Sequence, residues 1–408
     1  MKIDGVELLH GDCRELIKAM PDNSVDSIVT DPPYGLEFMG KDWDAPWKAG
    51  AVLDDPASVG GFQDGAGGNP FSRSRIRYGR EGDAIYGFQE WCQEWAAECL
   101  RVLKPGGYLL AFSSSRTYHR LACAVEDAGF EIRDQIMWVY GSGFPKSLNV
   151  SKSIEAKLTN GSAQKNGFHK LTGERTGDGK VGMYASVAEH GFRSHNPEQL
   201  GAFNLEPITP EAQQWAGWGT ALKPAHEPIV MARKPFVGSV AANVLAWGTG
   251  AINIDASRVP DGERFPANFI HDGSDEVLEI AGEAARFFYC AKPGKKERNA
   301  GLGHLDEVAA PKMDGGAFTS PTGNDSTKVT AQNFHPTVKP LALMRYLIRM
   351  VTPPGGTVLE PFAGSGTTLM AAIMEGYNAI GCELTADYLP IIQGRIQWAY
   401  EQTEPRLF

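Results

Sequence analysis

Short apolar runs bounded by turn residues alternate with stretches of helical spacing at both ends of this chain, and the middle loses that rhythm. Val6-Glu7-Leu8-Leu9 predicts a strand that ends at His10-Gly11-Asp12, with a helix over residues 13–20 after it. Pro21-Asp22-Asn23 turns the chain into a second strand, residues 25–30. Phe88, Trp91, Trp95, Cys99, Leu100, Val102 and Leu103 recur at helical spacing over residues 87–103, which makes these tryptophans core, and Pro105-Gly106-Gly107 stops that helix. A strand over 108–113, a helix over 117–128 and a strand over 131–140 follow.

Residues 141–220 gain Gly, Lys and Asn without a clear period, the pattern of an insertion. Pro228-Ile229-Val230-Met231-Ala232 returns as a strand, preceded by Lys223-Pro224-Ala225-His226-Glu227. Residues 235–334 mix short strand candidates such as 287–291 with turn-rich stretches, and 314–331 is loop-like. Residues 53–80, rich in Gly, Pro, Ser and Asp, predict a mobile loop. The regular pattern resumes with a helix over 341–350, a strand over 357–362, a Gly-rich turn, a helix over 369–375 and a strand over 378–383. Alternating strands and helices imply an α/β fold. Because the regular segments lie at both ends, two sequence segments must build one sheet, with the middle beside it.

Asp31-Pro32-Pro33-Tyr34 follows the 25–30 strand with no intervening residue. That position hangs an acid, two stiff carbonyls and an aromatic ring off the carboxyl end of a strand, where open α/β sheets bind ligands. Asp31 and the Pro32 carbonyl can accept two hydrogens from one amino group, and Tyr34 offers a face to a planar base. A plain Asp-Pro-Pro turn is the alternative. At the other end, Glu360-Pro361-Phe362 leads into Ala363-Gly364-Ser365-Gly366-Thr367-Thr368, a strand, Gly-rich turn and helix that bring backbone amides toward a ligand. No Lys follows the second Gly, so a nucleoside fits better than a triphosphate. Glu383 ends the next strand, the position of an acid that accepts from ribose hydroxyls.

Asp31 to Tyr34, Phe362 to Gly366, and His335-Pro336-Thr337-Val338-Lys339-Pro340 before a helix together resemble the amino-specific DNA methyltransferases that use S-adenosyl-L-methionine. His10-Gly11-Asp12-Cys13 and Leu103-Lys104-Pro105-Gly106-Gly107 add to the resemblance, which covers most of both ends. The catalytic motif precedes the cofactor motif, as in the permuted group usually called β. The resemblance implies a Rossmann-like methyltransferase sheet, circularly permuted in sequence, with an inserted target-recognition region. Residues 1–140 would form the catalytic half, 226–234 a returning strand and 335–408 the cofactor-binding half, with 141–225 and 235–334 recognising the target. The cofactor would meet Phe362, Gly364, Ser365, Gly366 and Glu383, with Glu360 at the turn, Asp12 near the adenine amino group, and Lys339 and Thr337 beside the methionine moiety. A helix cap or a turn is the other role open to Asp12 and Thr337.

Two acceptors on an exocyclic amino group pull its nitrogen toward sp3 and localise the lone pair toward a methyl sulfonium. Asp31 and Pro32 fit, with Pro33 and Tyr34 completing the turn. The target lies inside the duplex, so the base must be flipped out. Trp138, Tyr140 or Phe144 could hold its second face, with a core role equally open to Trp138. No Pro-Cys pair of the kind expected of a carbon-5 cytosine enzyme occurs. Within the family that the chain resembles, Asp in the first motif position leans toward N6 of adenine. N4 of cytosine, RNA or protein amides, and a catalytically silent DNA-binding protein are the alternatives.

A net charge of −10 over 408 residues opposes a general nucleic-acid coat protein. Basic residues are nonetheless segregated: residues 141–195 hold eight Lys and Arg against four acids, and Arg73, Arg75, Arg77 and Arg80 cluster in the 53–80 loop, where they would contact DNA. Double-stranded DNA is the expected partner, with a homodimer and a companion restriction endonuclease left open. No apolar run spans a membrane and no leader pattern opens the chain, so a cytoplasmic protein is expected. The six cysteines include no C-x-x-C pair, which predicts reduced, buried thiols and no metal site.

Overall fold

The protein is described from a computed structural model over residues 2–3, 5–36, 83–141, 147–160, 209–258, 265–281, 288–309 and 330–403. Its strands are β1 (Lys2–Ile3), β2 (Val6–His10), β3 (Val25–Thr30), β4 (Leu103–Phe112), β5 (Glu131–Val139), β6 (His226–Arg233), β7 (Phe269–His271), β8 (Phe288–Tyr289), β9 (Val308–Ala309), β10 (Thr330–Ala331), β11 (Thr357–Glu360) and β12 (Asn378–Glu383). Ten form one sheet in the order β1-β2-β12-β11-β3-β4-β6-β5-β7-β8, and β9 pairs with β10. The late strand β11 lies between β12 and the early strand β3, in parallel register with both, pairing Leu359 with Ile380 and with Ile28. This is the circularly permuted Rossmann-like sheet that the order of the motifs implied.

Parallel strands covered on both faces read as continuous apolar runs, and all six residues of β3 are buried. On one side of the sheet Ile17, Phe88, Trp91, Trp95, Cys99 and Leu121 form a core. On the other, Leu343, Leu347, Leu369, Met370, Ile392 and Ile396 pack against Val29, Leu110 and Phe112. Two-residue alternation divides β4 between them, with Leu109 and Ala111 on the first side and Tyr108, Leu110 and Phe112 on the second.

Several boundaries differ from the expected ones. The helix Asp83–Val102 passes directly into β4, whose Pro105-Gly106-Gly107 lies inside the strand. The pairing shifts there, from Val25–Leu103 to Ser27–Tyr108, so the segment is absorbed as a bulge. The helix Val240–Trp247 exposes Val240, Leu245 and Trp247 and buries Asn243, whose amide donates to the carbonyls of Pro105 and Thr249. Of the cysteines, Cys123 is exposed and the other five are buried, which corrects the expectation for that one.

The chain divides into two compact units, Met1–Ser142 with Ala225–Phe408, and Gly143–Pro224. In the second unit the helix Val150–Asn160 packs on Pro210–Gln214: Ser151 Oγ donates to the Ala212 carbonyl at 2.7 Å, and the Glu155 carboxylate accepts from Thr209 N and Oγ1 at 2.9 and 2.8 Å. The expected loop at 53–80 and most of 314–331 lie outside the described residues. Among the described residues no helix is long and apolar enough to cross a membrane, and no cluster of His, Cys, Asp or Glu could hold a metal.

Candidate active site

The parallel strands β2, β12, β11, β3 and β4 end along one edge of the sheet, and their registers bring Asp12, Glu383, Phe362 and Asp31 to that edge. Asp31 leaves β3 with Oδ2 paired to Lys339 Nζ at 2.6 Å. Its Oδ1 is buried and has no hydrogen-bond partner among the described residues, an uncommon and costly state for a carboxylate oxygen. Tyr34 is fixed at both ends, since its carbonyl accepts from Thr117 Oγ1 at 2.7 Å and its hydroxyl donates to Glu227 Oε2 at 3.0 Å. Lys339 Nζ also donates to Tyr34 Oη at 3.1 Å and lies 3.3 Å from Glu227 Oε2.

Burial raises Asp31 above the usual carboxylate range against the pull of Lys339, and the Glu227 charge raises it further. Burial would lower Lys339, but Asp31 and Glu227 together hold it above its ordinary value. The resemblance places Lys339 beside the cofactor's methionine end, and its ammonium meets Asp31 and Tyr34.

Glu227 escaped the sequence reading. β6 runs antiparallel to β4 and β5, pairing Ile229 with Phe112 and Glu227 with Trp138, so the beginning of β6 sits at the edge where its neighbour β4 ends. An acid just ahead of the 228–232 apolar run was visible, but strand direction was not.

At the Gly-rich turn, Gly364 and Gly366 adopt φ of 54° and 78°. A Cβ on Gly364 would meet His335 Nε2 at 2.9 Å, and one on Gly366 would meet Ile392 Cγ2 at 3.0 Å. Glu383 ties the turn from β12, accepting from Gly364 N and Thr385 N at 2.7 Å each. Glu360 lies beneath the turn, 1% exposed, against the hydroxyls of Thr30 and Thr368 and the amide of Phe362. Burial pushes its carboxyl up to about 8 despite those hydrogen bonds. The Phe362 ring stands 5.6 Å from Trp91 and 5.5 Å from Trp95. Ser365 Oγ is buried 3.2 Å from Thr367 Oγ1, and Thr337 N donates to His335 Nδ1 at 3.3 Å. Burial lowers the His335 imidazole to about 3, helped by the charges of Lys339, Arg298 and Arg395.

Asp12 caps the helix Cys13–Lys18, accepting from Arg14 N at 2.9 Å, while the Arg14 guanidinium binds its Oδ2 at 2.7 Å and holds its carboxyl below the usual range. Trp138 and Tyr140, expected to hold a flipped base with a core role equally open to Trp138, are both buried. Two-residue spacing puts both on one face of the sheet, inside the core. Trp138 donates to the Cys290 carbonyl at 3.0 Å, and Lys292 Nζ lies 3.6 Å from the centre of the Tyr140 ring. Phe144, Arg73, Arg75, Arg77 and Arg80 fall outside the described residues.

The chain is similar to several methyltransferases, to one of them along most of its length. Type II methyltransferase M.HindIII of Haemophilus influenzae is 24% identical over 384 residues, covering 90% of this chain and 87% of that protein. Type II methyltransferase M.BamHI of Bacillus amyloliquefaciens is 34% identical over 107 residues, 26% of this chain and 17% of its own. Among solved structures, PvuII DNA methyltransferase (cytosine-N4-specific) aligns over 98% of this chain and 93% of its own with 14% identity and a TM-score of 0.47. The family model N6_N4_Mtase, described as DNA methylase, matches residues 25–394, and the chain belongs to this family of amino-specific DNA methyltransferases.

Proposed function

We propose that this DNA methyltransferase moves a methyl group from S-adenosyl-L-methionine to N6 of an adenine flipped out of double-stranded DNA at a specific sequence. The observation that carries the reading is the Oδ1 of Asp31, buried with no partner among the described residues at the ligand edge of the sheet, one residue ahead of Pro32. A carboxylate oxygen left in that state is an acceptor waiting for a donor. An exocyclic amino group brings two hydrogens, one for Asp31 and one for Pro32. Taking both localises the nitrogen lone pair, an effect of placed charge and orientation with no covalent enzyme intermediate. Tyr34 supports the base from one face.

The residues at the turn fit the methyl donor. Two glycines bend the backbone where any Cβ would meet His335 or Ile392, and a buried acid stands at the end of the next strand. Gly364, Ser365 and Gly366 would line the methionine end with Phe362, Glu383 would take the ribose hydroxyls, and Asp12 and Thr337 would flank the adenine and methionine ends. When bound, the cofactor supplies a methyl group on a sulfonium, an electrophile that the chain's own side chains cannot provide. Glu360 sets the turn from below.

Residues 141–225 and 235–334 would choose the sequence, and Arg73, Arg75, Arg77 and Arg80 would grip phosphates, which set affinity without reading bases. A homodimer and a companion restriction endonuclease are compatible with this reading, as is a cytoplasmic location. Base-resolved detection of methylation on DNA from cells expressing the chain tests it. N6-methyladenine within one short motif is expected; N4-methylcytosine would transfer the same chemistry to the other base, and unmodified DNA would overturn the reading.

A further inference from the structure

We propose that Glu227 is a positioning residue for methyl transfer: it draws the Lys339 ammonium and the Tyr34 hydroxyl toward itself, so that Asp31 keeps one full-strength oxygen for the target amino group. The inference rests on the reading of the site as a methyltransferase centre and adds a residue to it.

Lys339 Nζ stands 2.6 Å from Asp31 and 3.3 Å from Glu227, with the Tyr34 oxygen 3.1 Å away. One ammonium thus serves two carboxylates. Paired with Asp31 alone it would draw more charge from that carboxylate and weaken it as an acceptor; shared, it anchors Oδ2 and leaves Oδ1 electron-rich. The Tyr34 hydroxyl donates to Glu227 at 3.0 Å while accepting from Lys339, so the same acid sets the ring that faces the base. Its backbone is placed by sheet pairing with β5 and followed by Pro228, whose φ is fixed. The groups facing Asp31 are Lys339, Glu227, Tyr34 and, from β11, Glu360. Beyond them His335 faces Lys339, and Tyr140 and Lys292 face Glu227.

The test compares Glu227→Gln and Glu227→Ala with the parent in single-turnover methyl transfer across pH, with S-adenosyl-L-homocysteine affinity measured alongside. Gln keeps an acceptor for Tyr34 and removes the charge. The plateau rate should fall by about tenfold, as for loss of a charged second partner worth roughly 1.4 kcal/mol, with cofactor affinity nearly unchanged. Because the Glu227 charge raises Asp31, the acid limb of the Gln variant should move to lower pH; a merely structural acid would leave it in place. Ala should lose more rate, and if it fails to fold, the near-isosteric Gln variant decides alone. A Gln variant with the parental rate and an unmoved acid limb overturns the role of Glu227. A parent that methylates no base overturns the function reading instead, and a parent that methylates cytosine leaves this test intact.

Discussion

Asp31→Asn removes a charge and almost no volume, which makes it the sharpest probe of the site. The Lys339 ammonium can only donate, so the new amide must turn its oxygen toward Lys339, which is 2.6 Å from Oδ2 in the parent. Its NH2 then occupies the position of Oδ1, and the incoming amino group meets a donor where it needs an acceptor. Loss of one preorganised hydrogen-bonding partner costs about 2.7–4 kcal/mol of barrier, or on the order of 10²–10³ in rate. Asp31→Ala should fall near the lower end, since it only deletes the acceptor, and Asp31→Asn near the upper. Lys339 keeps Glu227 at 3.3 Å, so neither change strands its charge. The assay is single-turnover transfer of labelled methyl to duplex DNA, with calorimetric titration of S-adenosyl-L-homocysteine as control. An Asn variant within about tenfold of the parent would remove Asp31 from the chemistry, and a matching loss of cofactor affinity would place Asp31 on the cofactor.

Gly366→Val should abolish S-adenosyl-L-homocysteine binding in calorimetry, because φ is 78° there and a Cβ already meets Ile392 at 3.0 Å; parental affinity in a folded variant would move the cofactor site elsewhere. Glu360 keeps in the folded state a proton that an unfolded chain releases near 4.5, so its contribution to stability falls as pH rises from 4.5 to about 8. Glu360→Gln should flatten the dependence of melting temperature on pH across that window, removing a penalty of up to about 5 kcal/mol above it; parallel curves for the two proteins would show that the carboxyl ionises normally. Trp138→Phe should cost about 1–2 kcal/mol of unfolding free energy through the lost bond to the Cys290 carbonyl. Its methyl transfer should match the parent's, and a rate loss without destabilisation would return Trp138 to the base.

The strands that carry the site were legible because buried parallel strands leave continuous apolar runs that end at turn residues. β3 and β12 have the bounds read from the sequence, Val25–Thr30 and Asn378–Glu383. The turns after β3 and β11 could be assigned chemistry because Asp-Pro-Pro-Tyr and Gly-Ser-Gly leave few other conformations. What stayed hidden depended on direction and on partners far along the chain. Glu227 meets Tyr34 across 193 residues, and only the reversed direction of β6 brings it there. The family resemblance places Lys339 beside the cofactor, and its pairing with Asp31, 308 residues away, was not legible in the sequence. The helix Val240–Trp247 carries no amphipathic signal pointing inward, since the buried residue is its Asn.

The placement of β11 between β12 and β3 also fixes when the protein becomes an enzyme. Leu359 pairs with Ile28, so during synthesis the central strand leaves the ribosome and then waits for its neighbour. At about 5–20 residues per second that delay is roughly 15–65 s, during which one whole edge of β3 has unsatisfied amides and carbonyls and the apolar face meant for the Leu341–Val351 helix is bare. Closing so long a loop is entropically costly and slow, and open strand edges recruit other chains. The arrangement therefore couples activity to completion: a chain interrupted between β4 and β11 carries Asp31 but lacks the strand that pairs with β3 and the glycine turn after it, and it is a substrate for chaperones and proteases before it can mark DNA.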